Sequence, residues 1–271
     1  MNGNLFFMEF SRYRNSMLIW TTLVSILIII DLALFQIFLK EGIIKSIEPI
    51  INQPLLAPMM KGFGLEIQKL TNILGFYVIR NTPLILLLTG IFAILTSISL
   101  FANEEYEKTA EFLYTKPLTR SQIFISKALA AFSLILLMNI ITIAVGYFSL
   151  EIFKNQDFNK QSFFLHSVYG VLTSFTFATI GLTFASIAKR GRGLFALSVG
   201  IVMGAYFLDL MSKIAKSTEF IGYISPFFYV DDNILVANYT LNLQNSLIFI
   251  SAITILTLFS FMKFLKKDFL N

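Results

Sequence analysis

The chain is 271 residues long, 56% hydrophobic, 15% aromatic and 14% charged, with a formal net charge of +5 and a mean hydropathy of +0.75. Soluble domains run near about 45–50% apolar and about 25% charged, so this composition excludes both a disordered chain and an ordinary soluble globule. The absence of cysteine excludes a disulfide scaffold, a thiolate metal site and a cysteine nucleophile. What remains is an all-α polytopic membrane protein embedded in a lipid bilayer.

The N-terminal stretch opens the chain with Phe6, Phe10, Tyr13 and Met17 at helical spacing, with Glu9 and Arg12 off that stripe. It reads as an interfacial helix in the inner headgroup layer that feeds into the membrane. A crossing helix needs about 20 apolar residues. Six blocks of 18 to 26 residues meet that length, at 17–39, 82–101, 128–150, 163–188, 194–211 and 245–262. The first is too long for a signal peptide, contains Asp31 and is followed by no small-residue cleavage site. Thr82 before Pro83 reads as the N-cap and first residue of the second span. The longest segment between spans, 40–81, and the second outer segment, 212–244, are too short for comfortable independent domains. The chain is therefore a single transmembrane domain over 1–271.

Orientation follows from Lys and Arg. With a cytoplasmic N-terminus the inner segments hold 12 basic residues in 56 positions and the outer ones 9 in 87. The Lys189-Arg190-Gly191-Arg192 turn and the Lys263, Lys266, Lys267 tail are the sharpest signals. Both termini are expected in the cytoplasm, in a bacterial cytoplasmic membrane. This bias explains the basic charge, and no stripe of basic and stacking residues points to nucleic acid.

The sequence offers no catalytic constellation and no metal site. His166 is the only histidine, which excludes a two-histidine zinc site. A nucleophile elbow and a phosphate-binding P-loop are also missing. Two carboxylates lie at membrane depth. Asp209 has Lys213 one turn later as an interfacial partner. Asp31 has no local partner, and either faces a hydrated pathway or bonds to a neighbouring helix. Gly170, Ser174 and Ala178 repeat at spacing four on the fourth span, and Ala196, Gly200 and Gly204 do so on the fifth. Such stripes predict close helix crossings, within the chain or across a dimer. Met59-Met60 in the first outer segment would make a poor copper site and read as packing residues.

The loop between spans two and three holds eight of the 37 charged residues. Asn103 reads as the cap of a short amphipathic helix with Glu104 and Glu105 in its first turn. Tyr106, Ala110 and Leu113 share one face of it, and Glu107, Lys108 and Glu111 the other. Pro117 forces Lys116 out of the helical region. Thr119 with Gln122 forms a capping box that opens the third span. A short helix, a rigid turn and a re-entry over 103–122 suit insertion into a groove on a cytoplasmic partner, and periodicity alone fits a helix lying on the inner leaflet equally well.

The stretch EEYEKTAEFLYTKPLTRSQIFISK resembles the signature of ABC exporter permeases of the second type, through Glu104, Glu105, Thr109, Glu111, Pro117, Thr119, Arg120 and Lys127. Ser225-Pro226-Phe227 with Tyr229 is a second match, and the span count and long first outer loop also fit. Lys108 stands where that family often has glycine. The resemblance implies a membrane-spanning permease subunit that pairs with a separate ABC ATPase subunit and with a second permease copy. ATP and Mg would sit in the ATPase, with no cofactor in this chain. It also implies that residues 103–116 form the coupling helix and that Glu105→Lys or Arg120→Glu abolishes ATPase association or transport without unfolding the spans. The competing readings are an ATPase-independent channel or secondary transporter, and a permease-like component in maturation of a copper enzyme.

Overall fold

In the computed structural model, residues 2–40, 67–106, 118–187, 194–214, 216–236 and 238–267 are described, together with the isolated positions 49 and 53. Among the described residues the structure is helical and has no strand. The principal helices are α1 (Gly3–Lys40), the short α2 (Ile67–Thr71) and α3 (Ile73–Phe76), and α4 (Thr82–Tyr106). They continue as α5 (Arg120–Phe153), α6 (Lys160–Ile187), α7 (Leu194–Ile214), the single turn α8 (Glu219–Gly222) and α9 (Leu243–Leu265). Six helical segments are long and apolar enough to cross a membrane. Successive spans run in opposite directions, so the starts of α1, α5 and α7 and the ends of α4, α6 and α9 lie at one end of the bundle, with both chain termini.

The first span begins earlier than its apolar block. α1 is one unbroken helix of 38 residues, about 57 Å long at 1.5 Å per residue. Its buried face starts at Leu5 and Glu9 and runs through Met17, Val24, Ile28, Leu32 and Phe35. Glu9 therefore lies on the inward stripe and not off it, while Phe7 and Met8 point outward. The spacing of four from Leu5 to Met17 settles this register, because it joins without a phase change to the face that packs on α5.

The second span departs from expectation at both ends. Thr82-Pro83 does not open it. Asn72 caps α3 by accepting from the Leu74 and Gly75 amides at 2.9 and 3.3 Å, and a π-helical turn over Tyr77–Asn81 carries the chain on into α4. A wide turn just before Pro83 leaves room for a ring that lacks an amide hydrogen and would crowd a regular helix. Gly75 is required at the cap, since a Cβ there would meet the Lys69 carbonyl oxygen at 2.5 Å. At the other end α4 runs through Asn103 to Tyr106. Asn103 is thus inside a helix and does not start one. Ala102, Glu104 and Glu105 favour helix, and no breaker intervenes.

The core is centred on α4 and α6. At Gly90 a Cβ would lie 2.9 Å from the Phe177 ring, and at Gly181 one would lie 2.8 Å from the Ile94 carbonyl oxygen. Such closeness lets dispersion contacts replace lipid contacts between spans. α1 packs on α5, and α9 packs chiefly on α6. α7 and α9 keep most of their surface outside the bundle.

Candidate functional site

The two ends of the bundle are built differently. At the end that carries the termini, α5 begins with Thr119, whose hydroxyl accepts from the Gln122 amide at 3.2 Å while Gln122 Oε1 accepts from the Thr119 amide at 3.0 Å. The capping box read from sequence is therefore present. Its first two turns then meet three other spans. Arg120 Nη1 donates to the Leu265 and Lys267 carbonyls, at 2.8 and 2.9 Å, where α9 ends. The Asn2 amide donates to Ser126 Oγ at 2.9 Å, and Ser126 donates back to the Asn2 carbonyl at 3.1 Å. Lys127 Nζ lies 3.1 Å from Glu9 Oε1, with both side chains at most 2% exposed. The same ammonium donates to the Leu100 carbonyl of α4 and faces the Phe101 ring at 5.7 Å.

Aromatic packing closes the same end. Phe124 of α5 meets Phe101 of α4 at 5.3 Å and Phe261 and Phe264 of α9 at 5.2 and 5.5 Å. Lys267 Nζ donates to the Ala185 carbonyl in the last turn of α6 at 2.9 Å. A cation placed on terminal carbonyls answers both their unfilled acceptor capacity and the negative end of the helix dipole.

At the far end a histidine and several hydroxyls supply neutral bonds. His166 bridges the Asp231 carbonyl through Nδ1 and Thr82 Oγ1 through Nε2, each at 3.1 Å. A carbonyl only accepts, so in the neutral ring Nδ1 carries the proton and Nε2 accepts from Thr82. Beside it lies a small, mostly apolar pocket of about 30 Å³, where Ile85, Leu86, Ile143 and Val230 join Asn139 and Thr142. Ser225 Oγ donates to the Ala205 carbonyl at 2.8 Å and accepts from the Phe227 amide. Its neighbour Phe227 is buried against Phe177 and Tyr206. The Ser-Pro-Phe motif thus folds as a plug of one 3₁₀ turn, Pro226–Tyr229, over α6 and α7.

Charge at the far end is paired through partly exposed cations, although Asp31 and Asp209 are themselves buried. Asp31 accepts from Arg80 Nε and Nη2 at 3.0 and 2.8 Å on a single oxygen. Its partner thus comes from the π-helical turn, while its second oxygen is buried without a hydrogen bond. Asp209 pairs with Lys213 at 2.9 Å as its spacing implied, and Asp232 joins at 3.7 Å. In the α5–α6 turn, Lys154 bridges Glu151 and Asp157 at 2.9 and 2.8 Å. That contact holds the Asp157 carboxyl below its ordinary range and raises Lys154 above its own.

Several sequence-derived residues fall elsewhere. Glu104 and Glu105 belong to the last turn of α4, and their side chains lie outside the described residues. The same holds for 107–117, including Thr109, Glu111 and Pro117, and for Met59-Met60 and Lys189–Arg192. Of the small-residue stripes, a Cβ on Gly170 would meet only Asn139 and Leu86, at 3.8 and 3.9 Å, and one on Gly200 or Gly204 would meet nothing within 4 Å. Ser174 and Ala178 are buried in α6. The close crossing lies at Gly90 and Gly181, which the spacing-of-four pattern missed. Glu9 was missed as well, although a lone carboxylate among Leu5, Phe6, Phe7, Met8 and Phe10 was a usable signal.

The sequence was compared with known proteins. A family model described as ABC-2 family transporter protein matches residues 4–269. The chain belongs to the ABC-2 transporter family. No curated protein matches it. As an ABC-2 permease it is a multi-pass membrane subunit of an ABC transporter and not itself an enzyme. Its partnership with an ABC ATPase follows from the family. The six spans and the joint at the start of α5 are then the parts of a permease.

Proposed function

We propose that this permease is the membrane-spanning subunit of an ABC exporter and couples ATP hydrolysis by a separate ATPase subunit to translocation. The observation that carries the reading is the family match over nearly the whole chain, together with the charged loop 103–122 between α4 and α5. In this reading ATP and Mg bind in the ATPase. Closure of the ATPase subunits shifts the bundle because loop 103–122 contacts the two states differently, which is what coupling requires. Glu104, Glu105, Thr109, Glu111, Pro117 and Thr119 form the docking segment.

Two permease copies would complete the unit. The outward Gly200 and Gly204 on α7 support this, since their face meets nothing within the chain. The charge bias supports both termini in the cytoplasm of a bacterial cell, with the protein in its cytoplasmic membrane. The test is purification of the full chain from its native membrane. An ABC ATPase subunit is expected to accompany the wild type, and Glu105→Lys is expected to remove it while the permease stays folded. Recovery of a functional permease with no ATPase would sink the reading in favour of a channel or secondary transporter.

A further inference from the structure

The start of α5 carries a connection that the docking reading does not use. α9 exposes most of its surface, packs chiefly on α6 and touches α5 over a short stretch. That stretch is the end bearing the termini, where Phe124 packs on Phe261 and Phe264 and Arg120 holds the Leu265 and Lys267 carbonyls. Leu265 closes the last turn of α9 and Lys267 follows it, so no amide within the helix is left to offer these oxygens. Arg120 satisfies both acceptors from one planar nitrogen, Nη1, whose two hydrogens are fixed in direction by the guanidinium plane. Meanwhile Lys127, two turns along α5, fixes that helix to Glu9 of α1 and to the Leu100 carbonyl of α4. Arg120 therefore stands between the segment 107–119 and a part of α5 that is already anchored.

We infer that Arg120 is a positioning residue that ties the last span to the loop-bearing end of α5, so that α5 and α9 move as one body when the ATPase changes state. This rests on the ATPase-coupled reading above. Arg120 then acts inside the permease, and its contribution to coupling is delivered to α9.

The absence of cysteine allows the tie to be measured directly by spin labels at Ile125→Cys and Met262→Cys, both exposed positions on α5 and α9. The full chain with its ATPase in lipid nanodiscs is compared without nucleotide and with ATP, Mg and vanadate. With Arg120 present, one narrow distance distribution is expected in both conditions. Arg120→Ala is expected to broaden it and to shift it by more than the ~1.5 Å rise of one residue. Arg120→Lys, which keeps the charge without the fork, is expected to fall between. A wild-type distance that changes with nucleotide overturns the inference. So does an Arg120→Ala distribution identical to wild type. If the wild type retains no ATPase, the coupling reading fails, yet the Arg120→Ala comparison in the isolated chain still decides whether the tie exists.

Discussion

The end carrying the termini and the far end solve the same problem with different chemistry. Near the termini, a fully buried ion pair and cations seated on helix-terminal carbonyls join α1, α4, α5, α6 and α9. At the far end, neutral hydrogen bonds around His166, a 3₁₀ plug and ion pairs whose cations reach solvent do so, although Asp31 and Asp209 are themselves buried. Buried charge is directional and intolerant of losing one partner, because the charge left behind has no solvent. Neutral bonds are replaceable at modest cost. Under the proposed ATPase coupling, the difference suits an end that transmits displacement without slack, set against an end whose segments can rearrange.

The largest effect expected from breaking this contrast is at the buried pair. Lys127→Met should destabilise the permease by about 3–5 kcal/mol, since it strands Glu9 in an apolar interior. The combined Glu9→Leu and Lys127→Met variant should recover most of that loss. Thermal unfolding in one detergent checks both, and equal instability of the single and double variants would show that the pair is not acting as a unit.

Next comes the packing that both ends share. Gly181→Val drives a side chain into the Ile94 carbonyl and should cost about 1–3 kcal/mol. Gly200→Val meets nothing within the chain and should leave the monomer's melting temperature unchanged. If Gly200→Val lowers it in a preparation shown to be monomeric, the outward face of α7 has been misjudged.

At the far end, His166→Ala removes the bridge to Thr82 and Asp231. It should cost about 1–2 kcal/mol, well below the loss at Lys127. A loss as large as that at Lys127 would erase the contrast.

The smallest effect is at the exposed turn after α5. Asp157 has its carboxyl pKa lowered by Lys154, so its stabilising contribution is present above the ordinary carboxylate pKa near about 3.9. It is lost as pH falls through the lower folded value. Lys154 is raised, so its contribution is present below the ordinary value near about 10.4 and lost as pH rises through the folded one. Both groups are solvated and screened by salt. Asp157→Asn should lower the melting temperature only slightly and by a constant amount between pH 5 and 9, with the difference vanishing in acid, as a pH series against wild type would reveal.

What could be read from sequence was local. The capping box of Thr119 and Gln122 and the pair of Asp209 with Lys213 involve residues three and four apart, and periodicity located the apolar centres of the spans. Glu9 with Lys127, Asp31 with Arg80, and His166 with Thr82 join residues far apart in the chain. No pattern of spacing reports which helices will be neighbours. Thr82-Pro83 misled for a different reason. A proline usually marks a helix start, but the π-helical turn before it absorbs the ring and lets the helix begin nine residues earlier, at Ile73. Small residues left their partner open: Ser174 and Ala178 are buried within the chain while Gly200 and Gly204 face outward, and spacing alone cannot say whether a stripe meets this chain, a second copy or lipid.

That π-helical turn also sets the azimuth of everything before it. A π turn accommodates about one residue more than an α turn, and one residue is about 100° of rotation in a 3.6-residue helix. Losing a single residue from Tyr77–Asn81 would swing Asn72, Gly75 and Phe76 around the helix axis by that angle while α4 stayed in place. Phe76 would leave Phe35, which it now meets at 5.1 Å, and the buried carboxylate of Asp31 would face a different side chain. The stretch from Asn72 to Phe76 is thus phased to the bundle by one surplus residue, and its aim is encoded as a count and not as a contact.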